Sequence, residues 1–369
     1  YNKNWSTRGV ATRLIYLITE FLNSEGSIQF FEKLQINSFQ NSKAAFESER
    51  LLTQNACDLL FFTHQRPPFI APLVAAAKQR KIPAAAFIFS WDNLASKGRM
   101  AANFDHYLVW STQMKNDLLE FYPKINQQQI SIVGTPQFAP YAMKRYQRTR
   151  EEFTAQFGLN PELKTICYSC GDVSTSPNDP YYIGLIAKAI QDNQISNCNL
   201  LIRTSPAESA DRFERLKNEF PWIKWNVPKW TLLRSDHQES WSQRIPSELD
   251  LGDLKSVLQF SDLNVNMLST MSLDFMLHGK PVINPVMGNS LNGLGDDQKF
   301  LDYAHIKLLL DSKATELACN QEQLMSATHN ALTVGPDRVA QSTFIDQQIG
   351  VSIEKTAMET ARALKSLVT

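Results

Sequence analysis

SDLNVNMLSTMSLDFMLHGKPVINP, residues 261–285, reads as strand, turn, short helix, tight turn, strand. The alternation of apolar residues in SDLNVNML is that of a strand, and Ser269 or Thr270 can cap a helix running through MSLDFMLH. Gly279 supplies the left-handed residue that ends the helix, Lys280 and Pro281 prevent its continuation, and VIN begins the next strand. A helix that starts just beyond the carboxyl end of a strand presents free backbone N–H groups and about half a positive charge. Such a turn suits an anion.

Working outward from this unit, the same alternation recurs on both sides. CDLLFFTH, PAAAFIFSW, HYLVWS and QISIVGTP read as strands, with helices over FIAPLVAAAKQRK and TQMKNDLLEFYP between them. A second series starts near Lys164: KTICYSC, NLLIRTSP and WIKWNV as strands, YYIGLIAKAIQDN and AESADRFERLKNEF as helices. An irregular polar stretch follows, and DLGDLKSVLQF is the helix that leads into residues 261–285. Beyond them HIKLLLD is predicted as a strand, ELACNQEQLMSATHNAL as a helix and SIEKTAMETARALKSL as a closing helix. Strands alternating with helices at this spacing, continuously apolar, predict parallel βαβ units with both sheet faces covered. The fold class expected is α/β, two doubly wound parallel-sheet domains facing across a cleft. The division is an acceptor-side domain over residues 1–150, a donor-binding domain over 151–350, and a C-terminal helix over 351–369. Residues 144–150, which contain Lys144, Arg145, Arg148 and Arg150, form the exit from the first domain and a candidate for peripheral membrane attachment.

The first 50 residues depart from this rhythm. ATRLIYLITEFL and SIQFFEKLQ are helical patterns with no clear strand, whereas a doubly wound domain normally opens on one. Two readings stand: an N-terminal domain lacking leading βα units, or a helical N-terminal extension. In composition the chain is an ordinary globular protein of 369 residues, 43% hydrophobic and 20% charged. Thirty-seven basic residues balance thirty-seven acidic ones, which argues against a nucleic-acid partner. No apolar run approaches the roughly 20 residues of a membrane helix. Five cysteines without framework spacing suit a reducing compartment, and the expectation is a cytoplasmic protein, at the inner face of the membrane if attached. Cys167 and Cys170 form a C-x-x-C within a predicted buried strand, where packing outweighs metal or redox use.

Function in such sheets gathers beyond the carboxyl ends of the strands. There the second domain offers Arg203, whose fork matches a phosphate, the loop opening at Gly171, and the turn at Ser269 and Thr270. Asp274, one turn into the helix, has the chemistry to accept hydrogen bonds from a ribose diol. The first domain offers His64 and Asp92 at strand ends as bases for an acceptor hydroxyl. The dinucleotide glycine fingerprint, the P-loop and a D-x-D cluster are all missing, so no metal or cofactor is expected and protein donors must meet the charge.

SDLNVNMLSTMSLDFMLHGKPVI resembles the C-terminal signature of GT-B glycosyltransferases and their glycerophosphotransferase relatives, with Asp274 and Gly279 five apart. LLIRTSP is similar to the R-P-H-P-type strand end of the teichoic and capsular polysaccharide branch, FSWDNLASKG to a W-D-N segment of surface-carbohydrate proteins, and GPDRVAQSTF to a late Gly-Asp-Arg segment. The resemblance spans roughly residues 56 to 350 and is strong in the last half. It implies a glycosyltransferase that moves a sugar from a nucleotide-sugar donor to a glycan or lipid-linked acceptor in bacterial surface polysaccharide synthesis. Asp274 would match the ribose-binding acid, Ser269 and Thr270 the pyrophosphate turn, and Arg203 the basic strand-end residue. Asp297 and Gln298 resemble an Asp-Gln that contacts the donor sugar. The departures are Asp in place of the common Glu at 274, Asn266 where a retaining pattern has its first acid, and Ser205 in place of the strand-end histidine. Two alternatives keep the pocket: a CDP-glycerol-type glycerophosphotransferase, and a catalytically inactive nucleotide-sugar-binding or scaffold protein.

Overall fold

The apolar spacing of the N-terminal segment folds as three helices, α1 (Thr7–Phe21), α2 (Glu25–Phe39) and α3 (Lys43–Gln54). Ser42 caps the third, its Oγ accepting from the Ala45 N–H at 3.1 Å. The structure is a computed structural model that describes residues 7–39, 42–195, 197–233 and 243–368. Strands and helices then alternate: β1 (Leu60–Phe62), α4 (Ala71–Gln79), β2 (Ala84–Phe87), α5 (Asn93–Ser96), β3 (His106–Val109), α6 (Thr112–Phe121), β4 (Ile130–Ile132), α7 (Ala139–Ala142) and α8 (Arg150–Phe157). Next come β5 (Lys164–Ser169), α9 (Asp179–Gln191), β6 (Cys198–Arg203), α10 (Glu214–Glu219), β7 (Lys224–Asn226), β8 (Trp230–Leu232), β9 (Arg244–Pro246) and α11 (Glu248–Phe260). The series closes with β10 (Leu263–Val265), α12 (Met271–Leu277), β11 (Val282–Pro285), α13 (Ala304–Asp311), β12 (Glu316–Ala318), α14 (Gln321–Thr333), α15 (Arg338–Ile349) and α16 (Thr356–Lys365).

Contacts divide the chain into two compact units. The smaller takes the described residues up to Phe89, Arg99–Leu108 and those from Ala363 onward; the larger takes Ser90–Gly98 and Val109–Arg362. In the smaller unit β1 runs parallel to β2, with Leu60 opposite Ala84, and β2 parallel to β3, with Ala85 opposite His106. Three successive alanines in β2 are buried, and Ala71, Val74 and Ala77 of α4 are buried as well. These small side chains permit close helix-on-sheet packing.

In the larger unit a six-stranded sheet has the order β12-β11-β10-β5-β6-β7, and each neighbouring pair is parallel. The chain winds outward from β5 through β6 and β7, then returns to the other side of β5 with β10, β11 and β12. The reversal creates a switch point between β5 and β10. Ile166, Tyr168, Leu200, Ile202, Val265 and Ile283 of these strands are buried against Ile183 and Ile186 of α9, in a continuous core. Each such side chain contributes about 1.5–3 kcal/mol on burial. Cys167, Cys170 and Cys198 are part of this interior, and burial pushes the Cys167 and Cys198 thiols up to about 11 and that of Cys170 well above its usual range. Among the described residues no helix is long and apolar enough to cross a membrane.

Two segments differ from their sequence prediction. HIKLLLD is helical, as α13, because its buried residues Ile306 and Leu309 lie three apart, a helical rather than an alternating period. The strand falls instead on Glu316, Leu317 and Ala318, where a helix had been expected to begin, and α14 starts only after Asn320, whose side chain accepts from the Gln323 N–H at 2.9 Å. The irregular stretch after β7 contains an antiparallel ribbon of β8 and β9.

Gly279 ends α12 at φ +63°, and a Cβ there would lie 2.7 Å from Nη1 of Arg338. Gly279→Ala is therefore expected to lower unfolding free energy by about 1–2 kcal/mol in urea titration.

Candidate functional site

The carboxyl ends of β5, β6 and β10 meet at the switch point, and a network of buried amides shapes the last of them. Asn264 donates to the Cys167 carbonyl at 3.0 Å and to Ser169 Oγ at 2.9 Å, and Asn266 donates to Asn264 Oδ1 at 2.7 Å. Asn266 Oδ1 in turn accepts from the Ser269 N–H at 2.7 Å, and Asn284 donates to the Asn266 carbonyl at 2.8 Å. The backbone turns sharply here, with Leu268 at φ +50°. Ser269 Oγ accepts from the Met271 N–H at 3.3 Å, while Thr270 occupies the cap position without a side-chain cap bond.

The loop after β5 is clamped from below. Arg212 donates to the carbonyls of Gly171 and Ser176, both at 2.7 Å, and pairs with Asp179 at 3.1 Å. Asp179 also accepts from the Gly171 N–H at 3.0 Å and from the Tyr168 hydroxyl at 2.8 Å. Burial raises the Asp179 carboxyl to about 7 against the pull of Tyr168 and Arg212. A Cβ on Gly171 would run into the Ser176 side chain, so the close approach of this loop requires glycine. Asp172 accepts from the Ser174 N–H at 2.9 Å and Thr175 Oγ1 at 3.0 Å, bonds that outweigh burial and hold its carboxyl below the usual range.

At the end of β6 the Arg203 guanidinium is buried and largely occupied. It donates to Asn226 Oδ1 and to both oxygens of Asp250, at 3.3 and 2.9 Å. Asp250 further accepts from the Lys229 N–H at 3.1 Å and Trp230 Nε1 at 2.7 Å. Arg203 thus joins β6 to α11 and the β8–β9 ribbon, and its charge is already matched.

These strand ends line a cavity of about 390 Å³ drawn wholly from the larger unit. Gly171, Arg203, Ser269, Thr270 and Asp92 all line it, so the structure brings five of the sequence-derived candidates together. Asp92 is held by Ser96 Oγ at 3.0 Å, with the Lys97 ammonium at 3.7 Å. Burial would raise its carboxyl, but hydrogen bonds from Ser90 and Ser96 and the charge of Lys97 prevail and keep it low, with His305 adding to this only when its ring is protonated. Trp91 donates from Nε1 to Thr270 Oγ1 at 3.3 Å and packs edge-on to the His305 ring at 5.0 Å. Ser169, Thr204, Ser205, Phe300, Tyr303 and His305 also line the cavity and were not singled out from sequence as site residues. Ser205 lies two residues beyond Arg203 on the same strand end, a position the sequence points to, whereas His305 falls in HIKLLLD, whose apolar run reads as a strand.

The remaining candidates are placed elsewhere. Asp274, expected to reach a ribose, is buried behind the turn: its carboxyl accepts from the Tyr141 hydroxyl, and Tyr141 packs edge-on to His278 at 5.4 Å. Burial raises this carboxyl to about 7 despite the Tyr141 bond and the charge of Arg203. Asp297 is buried too, accepting from Asn178 Nδ2 at 3.0 Å and from the Tyr182 hydroxyl, which pins the loop after β11 to α9. Gln298 donates to the Val286 carbonyl at 3.3 Å. His64 belongs to the smaller unit, where its ring stacks on Phe89 at 4.7 Å and Nδ1 accepts from the Arg66 N–H at 3.2 Å. Burial and the Arg66 charge lower its pKa, with the Gln65 bond opposing.

Solved structures of similar fold include UDP-GlcNAc 2-epimerases and a glycosyltransferase. The chain is similar to the UDP-GlcNAc 2-epimerase of Methanocaldococcus jannaschii, with a TM-score of 0.55 and 13% identity over 96% of this chain and 90% of that one. It is similar to the UDP-GlcNAc 2-epimerase of Neisseria meningitidis, a structure bound to UDP-GlcNAc, with a TM-score of 0.51 and 11% identity over 87% and 80%. A glycosyltransferase from Rickettsia africae gives a TM-score of 0.50 and 11% identity over 89% and 84%. The chain has the GT-B type of fold, with two Rossmann-like domains. No family model and no curated protein matches the chain.

The Asp274 placement has a pH signature. A carboxyl held at about 7 in the fold and near its ordinary 3.8 when unfolded stabilises the protein through the proton it keeps. That contribution is whole below the unfolded value and is lost as pH climbs through 7. Asp274→Asn, which cannot ionise, should gain in urea midpoint relative to the parent between pH 4 and pH 8; a constant difference across that range would refute the assignment.

Proposed function

We propose that the cavity of the larger unit holds the nucleotide-diphosphate part of a sugar donor, and that the protein is a metal-independent glycosyltransferase acting on a hydroxyl of a glycan or lipid-linked acceptor in surface polysaccharide synthesis. The observation that carries this reading is the cavity itself. It lies at the switch point of a parallel sheet, where such folds bind ligands, and it is lined by Ser169, Thr175, Thr204, Ser205, Ser269 and Thr270. Hydroxyls and strand-end backbone groups at this density suit phosphate and sugar oxygens without a cation bridge. No cofactor beyond the co-substrate enters the reading.

Asp92 is the base in this scheme, because its ionised carboxylate lines the cavity, whereas His64 is held against Phe89 in the smaller unit. The carboxylate takes the acceptor hydroxyl proton as the acceptor oxygen bonds to the anomeric carbon. The bond from that carbon to the diphosphate oxygen breaks, and its electron pair leaves with the nucleotide. Donors at the strand ends stabilise the charge on the leaving diphosphate.

A second reading, epimerisation of the sugar while it remains on the nucleotide, draws on the description of two of the similar structures as UDP-GlcNAc 2-epimerases. The two readings separate by product. Thermal-shift screening against UDP-, CDP-, GDP- and CMP-sugars identifies the ligand, and incubation with and without a hydroxyl acceptor follows. Acceptor-dependent release of free nucleotide supports transfer, an epimerised nucleotide sugar formed without acceptor supports epimerisation, and no binding by any nucleotide sugar sinks both. Asp92→Asn is expected to lower kcat by about 10²–10⁴-fold with nucleotide affinity within a few-fold of the parent.

A further inference from the structure

Among the described residues, the cavity has little free positive charge to set against the ligand proposed for it. Among the described residues its charged lining consists of Lys97 and Arg203 against Asp92 and Asp172, two cations and two anions, so histidine aside these balance. Arg203 is turned onto Asp250, and Lys97 stands 3.7 Å from the Asp92 carboxylate. Arg212 is closed on Asp179 at 3.1 Å and Glu208 at 2.7 Å, and is not part of the lining. A diphosphate diester carries two negative charges, which hydroxyls alone offset poorly once water is excluded.

Among the described lining residues His305 is the one whose charge can change near neutrality. It sits at the start of α13 with its ring edge-on to Trp91 at 5.0 Å and tilted against Tyr303 at 5.9 Å. Its Nδ1 is shielded from solvent and has no hydrogen-bond partner among the described residues. A buried polar atom without a partner marks a place where a further interaction is to be made. The groups that face the ring are Asp92 and Lys97 from the α5 segment and Tyr303 beside it. Burial lowers the pKa of the imidazole, the Asp92 carboxylate opposes this, and Lys97 adds to it. Among the described residues burial therefore favours the neutral ring.

We propose that His305 supplies the missing charge: its imidazole takes up a proton from solvent as a diphosphate-bearing ligand enters the cavity, so that anion binding and protonation are coupled. This rests on the reading of the cavity as a donor site and extends it by naming the residue that responds to the anion. No bond within the ligand changes. An anion beside the ring favours its charged form, so the midpoint of His305 rises on binding, and affinity is lost as pH climbs through the bound-state midpoint. A rise of about one pKa unit corresponds to about a tenfold weaker affinity on the alkaline side than on the acid side.

The test follows the His305 ring resonance by NMR in the full chain, assigned by its loss in His305→Asn, across pH alone, with sulfate, and with UDP-GlcNAc. Neither added anion titrates near neutrality. Both should move the midpoint upward, and calorimetric affinity for UDP-GlcNAc should fall about tenfold across it in the parent while staying flat in His305→Asn. A midpoint unmoved by either anion overturns the proposal. Equal pH dependence of UDP-GlcNAc binding in parent and variant overturns it while leaving the donor-site reading intact. A sulfate shift without any nucleotide-sugar binding keeps the coupled protonation and removes the donor-site reading.

Discussion

The larger unit depends on how polar groups are satisfied where β10 ends inside the sheet. Asn264, Asn266 and Asn284 are fully buried, with Cys167 and Val282 opposite Asn264 and Leu317 opposite Asn284 on the neighbouring strands. Each amide costs free energy to desolvate unless it is bonded, so the three are stable only as a connected set. The set has a product: Asn266 Oδ1 receives the Ser269 N–H and fixes the turn that carries Leu268 through a left-handed conformation. An apolar residue at 266 would pack in the sheet but leave that turn without its anchor. The polar pattern SDLNVN, which weakens the segment as a strand, is what makes the following turn definite.

Charge is used in the same architectural way around the cavity. Arg203 and Asp250 join β6 to α11, and Arg212 and Asp179 tie the loop after β5 to α9. Removing one partner from such a buried pair costs about 3–5 kcal/mol, far more than a surface pair contributes. The arginines are thereby the frame of the cavity. A cavity framed this way keeps its shape with these guanidinium charges already matched, and among its described lining residues Asp92, Lys97 and His305 stand outside the two buried pairs.

The legible part of the sequence was the part governed by local periodicity and by residues with restricted backbones. Strand-helix alternation from residue 56 onward, the short helix over MSLDFML and the left-handed Gly279 all follow from such rules. HIKLLLD failed because a seven-residue apolar run fits a strand and a buried helix turn equally, and burial of Ile306 with Leu309 decides only once the sheet is in place. Cavity-lining residues are legible as positions beyond strand ends, which gives Gly171, Arg203, Ser269, Thr270 and Asp92. Their partners were not, because they are set by distant chain: Tyr141 lies 133 residues from Asp274, and Trp91 179 residues from Thr270. Whether a carboxylate points into a cavity or into the packing behind it has no local signature.

The thiols of Cys167, Cys170 and Cys198 lie in the central strands or at their ends and are screened from solvent. A protonated, inaccessible sulfur is inert to alkylation, so in the native molecule Cys167, fully buried in β5, reacts only when the sheet itself opens. Cys57 and Cys319 are only partly covered. The chain therefore carries a built-in clock: the delay between fast modification of the outer pair and slow modification of Cys167 reports the free energy of opening the sheet around β5, with no substitution introduced.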